Sequence, residues 1–310
     1  MQYYIMIFVS VVLLALQFST NKTYQLKYGD SAEASLRFTC LSGFLTSALF
    51  LVLTIAMGEE LRITGYSVLS ASLIALLCCI YTFIGFKILS FGSMSVFMMF
   101  LMLGGMMLPF LFGIAFLNEP ISVFRIIGVV LLAVSMIFPV ISRDQRGGLI
   151  FALLCLLVFV LNGSVSILSK LHQINETYET CGTNMFVCIN NLMNGVFSGI
   201  GYLFIRIGNK SKNESAAPEK QAAEKSASSI LAKLPLPIII AANSVFSGVS
   251  YMLQLVGAAN VPASMLYPLI TGGSVVLSAL AGYVFFHEKP NRNTAIGLLL
   301  SFAATFLFLF

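Results

Sequence analysis

The sequence predicts an all-α membrane protein with ten transmembrane helices, arranged as two inverted repeats of five helices each. The first observation behind this prediction is composition: of the 310 residues, 58% are hydrophobic and only 9% are charged. A soluble domain carries about 25% charged residues, so this chain has too few to cover a surface in water. The second observation is that the apolar residues occur in long runs. The third is that the second half of the chain repeats the first.

The apolar runs have the length of membrane-spanning helices, about 20 residues. Short loops separate them, so most of the chain is assigned to spans. The predicted spans are residues 3–20, 33–57, 66–87, 93–117, 121–141, 147–169, 180–206, 235–257, 262–286 and 292–310. The first run is interpreted as an uncleaved helix, because no basic segment precedes it and no small-residue cleavage site follows it.

An internal repeat relates residues 81–141 to residues 250–310 without a gap, at a constant offset of 169 residues. Apolar matches alone mean little in a membrane protein, but three glycines and a glutamate keep their spacing within this match. The matched pairs are Gly104 with Gly273, Gly113 with Gly282, Glu119 with Glu288 and Gly128 with Gly297. Each copy holds five helices, and an odd number places the second copy upside down in the bilayer, an architecture of transporters.

The repeat divides the chain into a first five-helix unit over residues 1–142 and a second over residues 143–310. A stretch rich in Lys, Glu, Ala and Ser interrupts the second unit between spans seven and eight. Its composition predicts a flexible, solvated loop over about residues 207–234.

Short motifs join the fourth and fifth helix of each repeat. Residues 116–122 read FLNEPIS and are followed by Ile-Gly at 127–128. Residues 286–291 read FHEKPN and are followed by Ile-Gly at 296–297, and Leu-Arg-Phe stands at 36–38 in span two. In this order the motifs resemble the drug/metabolite transporter superfamily, EamA type. The resemblance covers the whole chain and implies a ten-helix transporter of small solutes.

Three features depart from the superfamily pattern. The chain contains no Trp, and the glycine that precedes the motif glutamate is replaced by Asn118 in one copy and His287 in the other. The first helix carries no acidic residue, unlike the first helix of the small multidrug-efflux relatives. This absence argues against exchange of protons for a cationic drug.

Polar side chains inside the spans are candidate solute contacts, because a polar group in hydrocarbon needs a partner or a cavity. No acid lies in the middle of a predicted span, so such a site is neutral and suits a polar or zwitterionic solute. The alternative role is interhelical hydrogen bonding, or, for the arginine, reaching to lipid headgroups. The predicted substrate-binding residues are Gln17, Asn21, Arg37, Tyr81, Asn162, Tyr251, Gln254 and Tyr267.

Gln17 and Asn162 form the most informative pair, because each lies in the first helix of its repeat at matching depth. Carriers built from inverted repeats bind substrate near the midplane, where the repeats meet. Further amides at the centres of spans are interpreted first as interhelical contacts. They are Asn184, Asn190, Asn191, Asn194 and Asn243.

Glu119 and Glu288 lie at membrane edges, directly before the last helix of each repeat. Unpaired N–H groups and the helix dipole favour an acid at a helix N-terminus, so both are predicted to cap the following helix. Gating or coupling is the alternative. Lys170 at a span end is predicted to anchor in the headgroups, and His172 is predicted to lie in a loop.

No catalytic set, zinc-ligand spacing or phosphate-binding loop is found in the sequence. We therefore expect no enzyme activity, no metal and no cofactor. The expected partners are the lipid bilayer and a small-molecule substrate, without nucleic acid. The alternatives to a transporter are a membrane enzyme that acts on lipids and a non-transporting scaffold or regulatory partner protein.

Two arguments about the orientation in the cell membrane disagree. Lys and Arg concentrate in cytoplasmic loops, and their count over alternate loops places both termini outside. The family resemblance implies that both termini lie in the cytoplasm.

Overall fold

The computed structural model describes residues 2–29, 31–89, 94–137, 148–210, 235–286 and 292–308. Over these residues the chain forms ten α-helices and no β-strand. Each helix corresponds to one predicted span. The helices are α1 Gln2–Tyr28, α2 Ala32–Ala56, α3 Gly65–Leu89, α4 Met94–Phe116, α5 Val123–Ile137, α6 Gly148–Ile174, α7 Thr183–Lys210, α8 Leu236–Asn260, α9 Ala263–Phe286 and α10 Arg292–Leu307.

Two helices extend well beyond their predicted ends. The first, α1, continues to Tyr28 rather than residue 20, and α6 continues to Ile174 rather than residue 169. The added turns are polar and partly packed inside the protein, since Tyr24 is 4% exposed and His172 is 1% exposed, whereas the last turn of α1 is exposed. Protein contacts replace hydrocarbon there, so the end of the apolar run comes earlier than the end of the helix. Of the predicted flexible loop, residues 207–210 continue α7, and residues 211–234 lie outside the described residues.

Six helices of the described chain, α1, α2, α3, α6, α8 and α9, have both the length and the hydropathy to cross a membrane. Shorter apolar stretches lie in α4, α5 and α10, at Phe100–Phe116, Val123–Ser135 and Ala295–Leu307. The 28-residue helix α7 belongs to neither group. Its asparagines lower the hydropathy of a helix whose polar side faces the interior, as the buried Asn184 and Asn190 show.

Contacts between helix ends define two faces of the bundle. At face 1, where the odd-numbered helices begin, Arg62 of the α2–α3 loop pairs with Glu179 of the α6–α7 loop at 2.6 Å. At face 2, where α1 ends and α2 begins, Tyr24 stacks on Phe38 with ring centroids 4.3 Å apart. Further contacts at face 1 join the end of α6 to the start of α3 and the end of α8, and the residues after α4 to the start of α9.

Most helix contacts join the first half of the chain to the second. The helix α2 packs along α7, α4 packs on α6 and α9, and α1 packs on α8 and α9. In addition α3 packs on α6 and α7, and α5 pairs with α10. Glycines permit close approach at two of these contacts. A Cβ at Gly43 of α2 would lie 2.9 Å from the Asn191 carbonyl oxygen of α7, and one at Gly104 of α4 would meet the Phe159 backbone of α6.

A large apolar core fills the half of the bundle toward face 1. It joins residues near the start of α1 and α9 to residues near the end of α4 and α10, including Ile7, Leu266, Phe110 and Phe308. All four are buried, with at most 5% of their surface exposed. The half toward face 2 is packed differently, because a polar cavity lies there.

Candidate functional site

A cavity of about 330 Å³ lies in the half of the bundle toward face 2. Its walls come from the last turns of α1, the first turns of α2, the second half of α3, the middle of α7 and the first half of α8. The lining residues are Gln17, Asn21, Tyr24, Gln25, Ser35, Leu36, Phe38, Thr39, Ser42, Gly43, Cys78, Cys79, Tyr81, Thr82, Asn191, Asn194, Ser198, Asn243 and Ser247.

Helical spacing explains why these side chains share one cavity. Residues three, four or seven apart lie on one face of an α-helix. On α1 the polar positions recur at Gln17, Asn21 and Gln25, and on α8 they recur at Asn243 and Ser247. The same spacing holds in α2 and α7. Each of these four helices thus turns one polar stripe toward the cavity.

The cavity is neutral but rich in hydrogen-bonding groups. None of the described lining residues carries a formal charge, and carboxamides and hydroxyls dominate the walls. Asn243, only 3% exposed, accepts a hydrogen bond from the Thr20 hydroxyl at 2.9 Å. Asn191 donates from Nδ2 to the Val187 carbonyl at 2.9 Å. These bonds fix the orientation of the two amides.

Three of the predicted binding residues, Gln17, Asn21 and Tyr81, line this cavity. They come from α1 and α3, which are distant in sequence, and the fold brings them together. Their contact with a solute stays a prediction.

The other predicted binding residues lie outside the cavity lining, and four of them bond within the protein. Asn162 donates to the Leu101 carbonyl at 2.7 Å and joins α6 to α4. Tyr267 donates to the Ser166 carbonyl at 2.6 Å and joins α9 to α6. In α8, the Tyr251 hydroxyl lies 3.1 Å from the Ser169 hydroxyl of α6, and Gln254 donates to the Ser250 hydroxyl at 3.0 Å. The expected pairing of Gln17 with Asn162 at one site is therefore absent from this arrangement.

Arg37 is exposed and also lies outside the cavity lining, although its neighbours Leu36 and Phe38 belong to it. Several polar residues of the lining were not singled out from the sequence, among them two at the end of α1. Tyr24 and Gln25 fall beyond the predicted end of the first span. A four-residue recurrence of polar side chains from Gln17 through Asn21 to Gln25 is the signal that would have identified them.

Lys170 lies on the side of the bundle opposite the cavity, toward face 1. The prediction that it anchors in the headgroups is wrong, because its side chain is buried, with 5% exposed. Its ammonium donates to the carbonyls of Ala258 and Val261 at 2.6 and 2.8 Å. These carbonyls end α8, where backbone acceptors lack helical partners and the dipole favours a cation.

Glu119 bonds the start of α9, as Lys170 bonds the end of α8. Its carboxylate accepts hydrogen bonds from the backbone N–H groups of Ala263 and Ser264 at 2.6 and 2.7 Å. It therefore caps α9 rather than the following helix α5, which corrects the sequence prediction. Asn118, with φ of 52°, turns the chain so that the carboxylate reaches back. A Cβ at Gly113 would lie 2.6 Å from Glu119 Oε2, so glycine makes room for the cap. Glu288 lies outside the described residues.

A polar cluster also lies buried at face 1. His172 belongs to α6 rather than to a loop, and its Nε2 lies 2.8 Å from the Ser67 hydroxyl of α3. The same hydroxyl accepts from the Cys181 backbone N–H at 3.0 Å. The His172 ring stacks on Phe186 with centroids 3.6 Å apart. Burial raises the pKa of the Cys181 thiol, which keeps the cluster uncharged at that position.

A family model matches residues 148–310, which is more than half of the chain. The chain belongs to the EamA-like transporter family. Membership confirms the resemblance of the sequence motifs, and with the apolar helices it identifies an integral membrane protein of a family that transports small solutes. No curated protein matches the chain.

Solved structures share the overall architecture of this chain. Among them, 28 chains match. One, titled "Crystal structure of protein", has a TM-score of 0.72 and 14% sequence identity, over 99% of this chain and 96% of that chain. At this identity the likeness shows the fold alone.

Proposed function

We propose that this protein is a secondary transporter that moves a small polar metabolite, amino-acid-like or similar, across the cell (plasma) membrane by alternating access. The observation that carries the proposal is the contrast between the two halves of the bundle. The half toward face 2 holds a polar cavity of about 330 Å³. The half toward face 1 is filled by an apolar core and by the contacts of Lys170, Glu119 and His172.

The helix packing supports the two inverted repeats that this mechanism needs. Exchanging α1–α5 with α6–α10 maps the contact of α2 with α7 onto itself, and likewise the contacts of α4 with α9 and of α5 with α10. The same exchange turns the contact of α1 with α9 into that of α6 with α4, and the contact of α1 with α8 into that of α6 with α3. This correspondence favours the repeat units 1–142 and 143–310.

The repeat-related residues Gln17 and Asn162 then have the two different environments that a transport cycle would exchange. Gln17 lines the open cavity, whereas Asn162 donates to the Leu101 carbonyl in the packed contact of α6 with α4. In an inverted repeat, rocking of one half against the other exchanges the two environments. We infer that the opposite state frees Asn162 and packs Gln17.

The chemistry of the lining favours a neutral or zwitterionic solute over a bare cation. Taking an ion out of water costs on the order of several kcal/mol unless a counter-charge or strong hydrogen bonds replace the hydration. The described lining offers amides and hydroxyls but no formal charge. Such groups hydrogen-bond a polar solute and give no counter-charge to a single ion.

The rival interpretations explain less of the structure. A role as a scaffold or regulatory partner predicts a solid core and does not account for the polar cavity. A lipid-modifying enzyme predicts reactive groups at a membrane face, whereas the Ser67 and His172 side chains are 0% and 1% exposed.

A ligand screen on the purified protein tests the proposed function. Amino acids, sugars and nucleosides are each added at concentrations far above their expected Kd, and the unfolding midpoint is recorded. A solute that binds the folded state at 100 times its Kd stabilises it by about 2.7 kcal/mol. We expect one class to raise the midpoint and to move into proteoliposomes.

Two matched variants connect the screen to the cavity. Asn191 and Asn260 both donate to the carbonyl four residues earlier in their helices, at 2.9 and 2.8 Å, but only Asn191 lines the cavity. We expect Asn191→Ala to abolish the ligand-induced shift and Asn260→Ala to keep it. Equal shifts in both variants, or no transported solute in any class, would count against the proposal.

A further inference from the structure

An apolar groove of about 250 Å³ runs between α1, α9 and α10 on the outside of the bundle. Phe8 of α1 forms one wall, and Phe302 and Phe306 of α10 form the other, all at least half exposed. The buried Leu269 of α9 lies at the floor. The groove shares no lining residue with the polar cavity, so it is a separate feature.

The groove follows the helix axes and begins at face 1. Its lining on α1 extends from Tyr4 to Val11, which corresponds to about 10 Å at 1.5 Å per residue. Tyr4 lies in the first turn of α1, where a transmembrane helix meets the headgroups and where tyrosine is favoured. A phospholipid acyl chain starts at this depth and runs in this direction.

Two small residues keep the groove open and dry. Gly273 of α9 lacks a side chain, and a Cβ there would lie 2.9 Å from Val11 of α1. Thr305 of α10 donates its hydroxyl to the Ser301 carbonyl at 2.7 Å, so its polar atom is satisfied within the helix. The remaining lining is aliphatic or aromatic, which matches hydrocarbon rather than water.

A cation lies beside the headgroup end of the groove. The Tyr4 hydroxyl lies 3.3 Å from the sulfur of Met265, and Arg125 Nη2 lies 4.0 Å from the same sulfur. Arg125 Nη1 donates to the Pro120 carbonyl at 3.2 Å. Its buried Nε has no acceptor among the described residues. A guanidinium carries five N–H donors, and the contacts of Nη1 and Nη2 use two of them, so Nη donors remain in the fork geometry that suits a phosphate.

We propose that this groove binds one anionic phospholipid of the surrounding bilayer, with an acyl chain between α1, α9 and α10 and the phosphate on Arg125. The apolar lining selects hydrocarbon, and the charge of Arg125 selects an anionic headgroup over a zwitterionic one. Because the lipid bridges α5 to α1, α9 and α10, it holds together helices from both halves of the chain.

Tryptophan fluorescence tests the proposal, because the chain contains no Trp. A Phe306→Trp variant of the full chain carries one fluorophore in the groove. It is reconstituted into vesicles of phosphatidylcholine mixed with phosphatidylglycerol whose acyl chains are brominated, and quenching gives the relative binding constant of the two lipids. One basic residue near the membrane surface contributes about 1 kcal/mol, so we expect about a fivefold preference for phosphatidylglycerol.

Four control variants make the result specific. Phe44→Trp makes the same change at a 43% exposed position on α2, and we expect no preference there. Adding Arg125→Gln to Phe306→Trp should remove the preference, whereas Arg125→Lys should retain most of it. Adding Arg62→Gln, which removes an exposed arginine at the same face, should leave it unchanged.

Either of two results would overturn the lipid site. One is the same lipid preference at positions 44 and 306. The other is a preference at position 306 that survives Arg125→Gln in a variant with an unchanged unfolding midpoint. Equal quenching by brominated phosphatidylcholine and brominated phosphatidylglycerol would also reject the anionic headgroup.

Discussion

Glu119 connects two distant parts of the chain through the backbone of a helix start. Its carboxylate occupies space that exists because residue 113 is glycine, and it accepts from two N–H groups that begin α9. A sequence motif of glycine and glutamate six residues apart is thus one physical unit. The helix cap therefore depends on both residues.

This unit gives a double-mutant prediction. We expect Glu119→Ala to lower the free energy of unfolding by about 0.5–2 kcal/mol, as for the loss of a helix cap. Gly113→Ala should cost a similar amount, because the new methyl displaces the carboxylate. Combined with Glu119→Ala it should cost nothing or stabilise, since alanine favours a helix over glycine by about 0.5–1 kcal/mol. Thermal unfolding of the four proteins in one detergent measures the cycle, and additive costs would refute the coupling.

At the level of residues, the sequence identified part of the candidate site. Gln17, Asn21 and Tyr81 were predictable as polar groups in apolar runs. The bonds of Asn162 and Tyr267 were not, because their acceptors are backbone carbonyls of other helices, which leave no residue-type signal. Burial of Lys170 escaped prediction for the same reason.

At the level of helices, hydropathy predicted all ten positions in the described chain but not where α1 and α6 end. The added turns are polar, and buried residues such as Tyr24 and His172 pack part of them against protein. The same packing holds the junction between α8 and α9, where Lys170 bonds the carbonyl end of one helix and Glu119 bonds the N–H end of the next. Each charge meets the helix pole of opposite sign.

The junction gives a prediction for Lys170. Replacing it by Met keeps most of the volume but leaves the Ala258 and Val261 carbonyls without their donor. An unsatisfied buried polar group costs about 1–3 kcal/mol, so we expect a clear drop in the unfolding midpoint. Arg62→Gln breaks an exposed ion pair and should cost less than about 1 kcal/mol. A Lys170→Met protein as stable as the Arg62→Gln protein would contradict the role of the junction.

At the level of the whole molecule, the cavity predicts one-sided access to cysteine. Cys78 and Cys79 line the cavity, whereas Cys155 is 0% exposed. A membrane-impermeant maleimide should label Cys79 from face 2 and react much more slowly from face 1. Cys79→Ser combined with Cys78→Ser should abolish this labelling. Equal rates from both sides would argue against a cavity that opens to one face at a time.

The direction of that access depends on the orientation of the bundle. In the sequence, most Lys and Arg residues between the predicted spans fall in the connections that follow odd-numbered spans, so the positive-inside rule favours a cytoplasmic face 2. We then expect labelling to be faster in inside-out vesicles. This orientation places the C-terminus outside, so it predicts that a green fluorescent protein fused there is dark. A fluorescent fusion would instead support the orientation implied by the family.

The uncharged lining of the cavity has an electrical consequence. A membrane potential of 100 mV performs about 2.3 kcal/mol of work on each elementary charge that crosses it. The described cavity walls carry no formal charge, so their reorientation without a solute moves no wall charge through the field. In the proposed transport cycle the cavity walls therefore add no charge of their own to the current, which the solute and any ion that travels with it carry through the cavity.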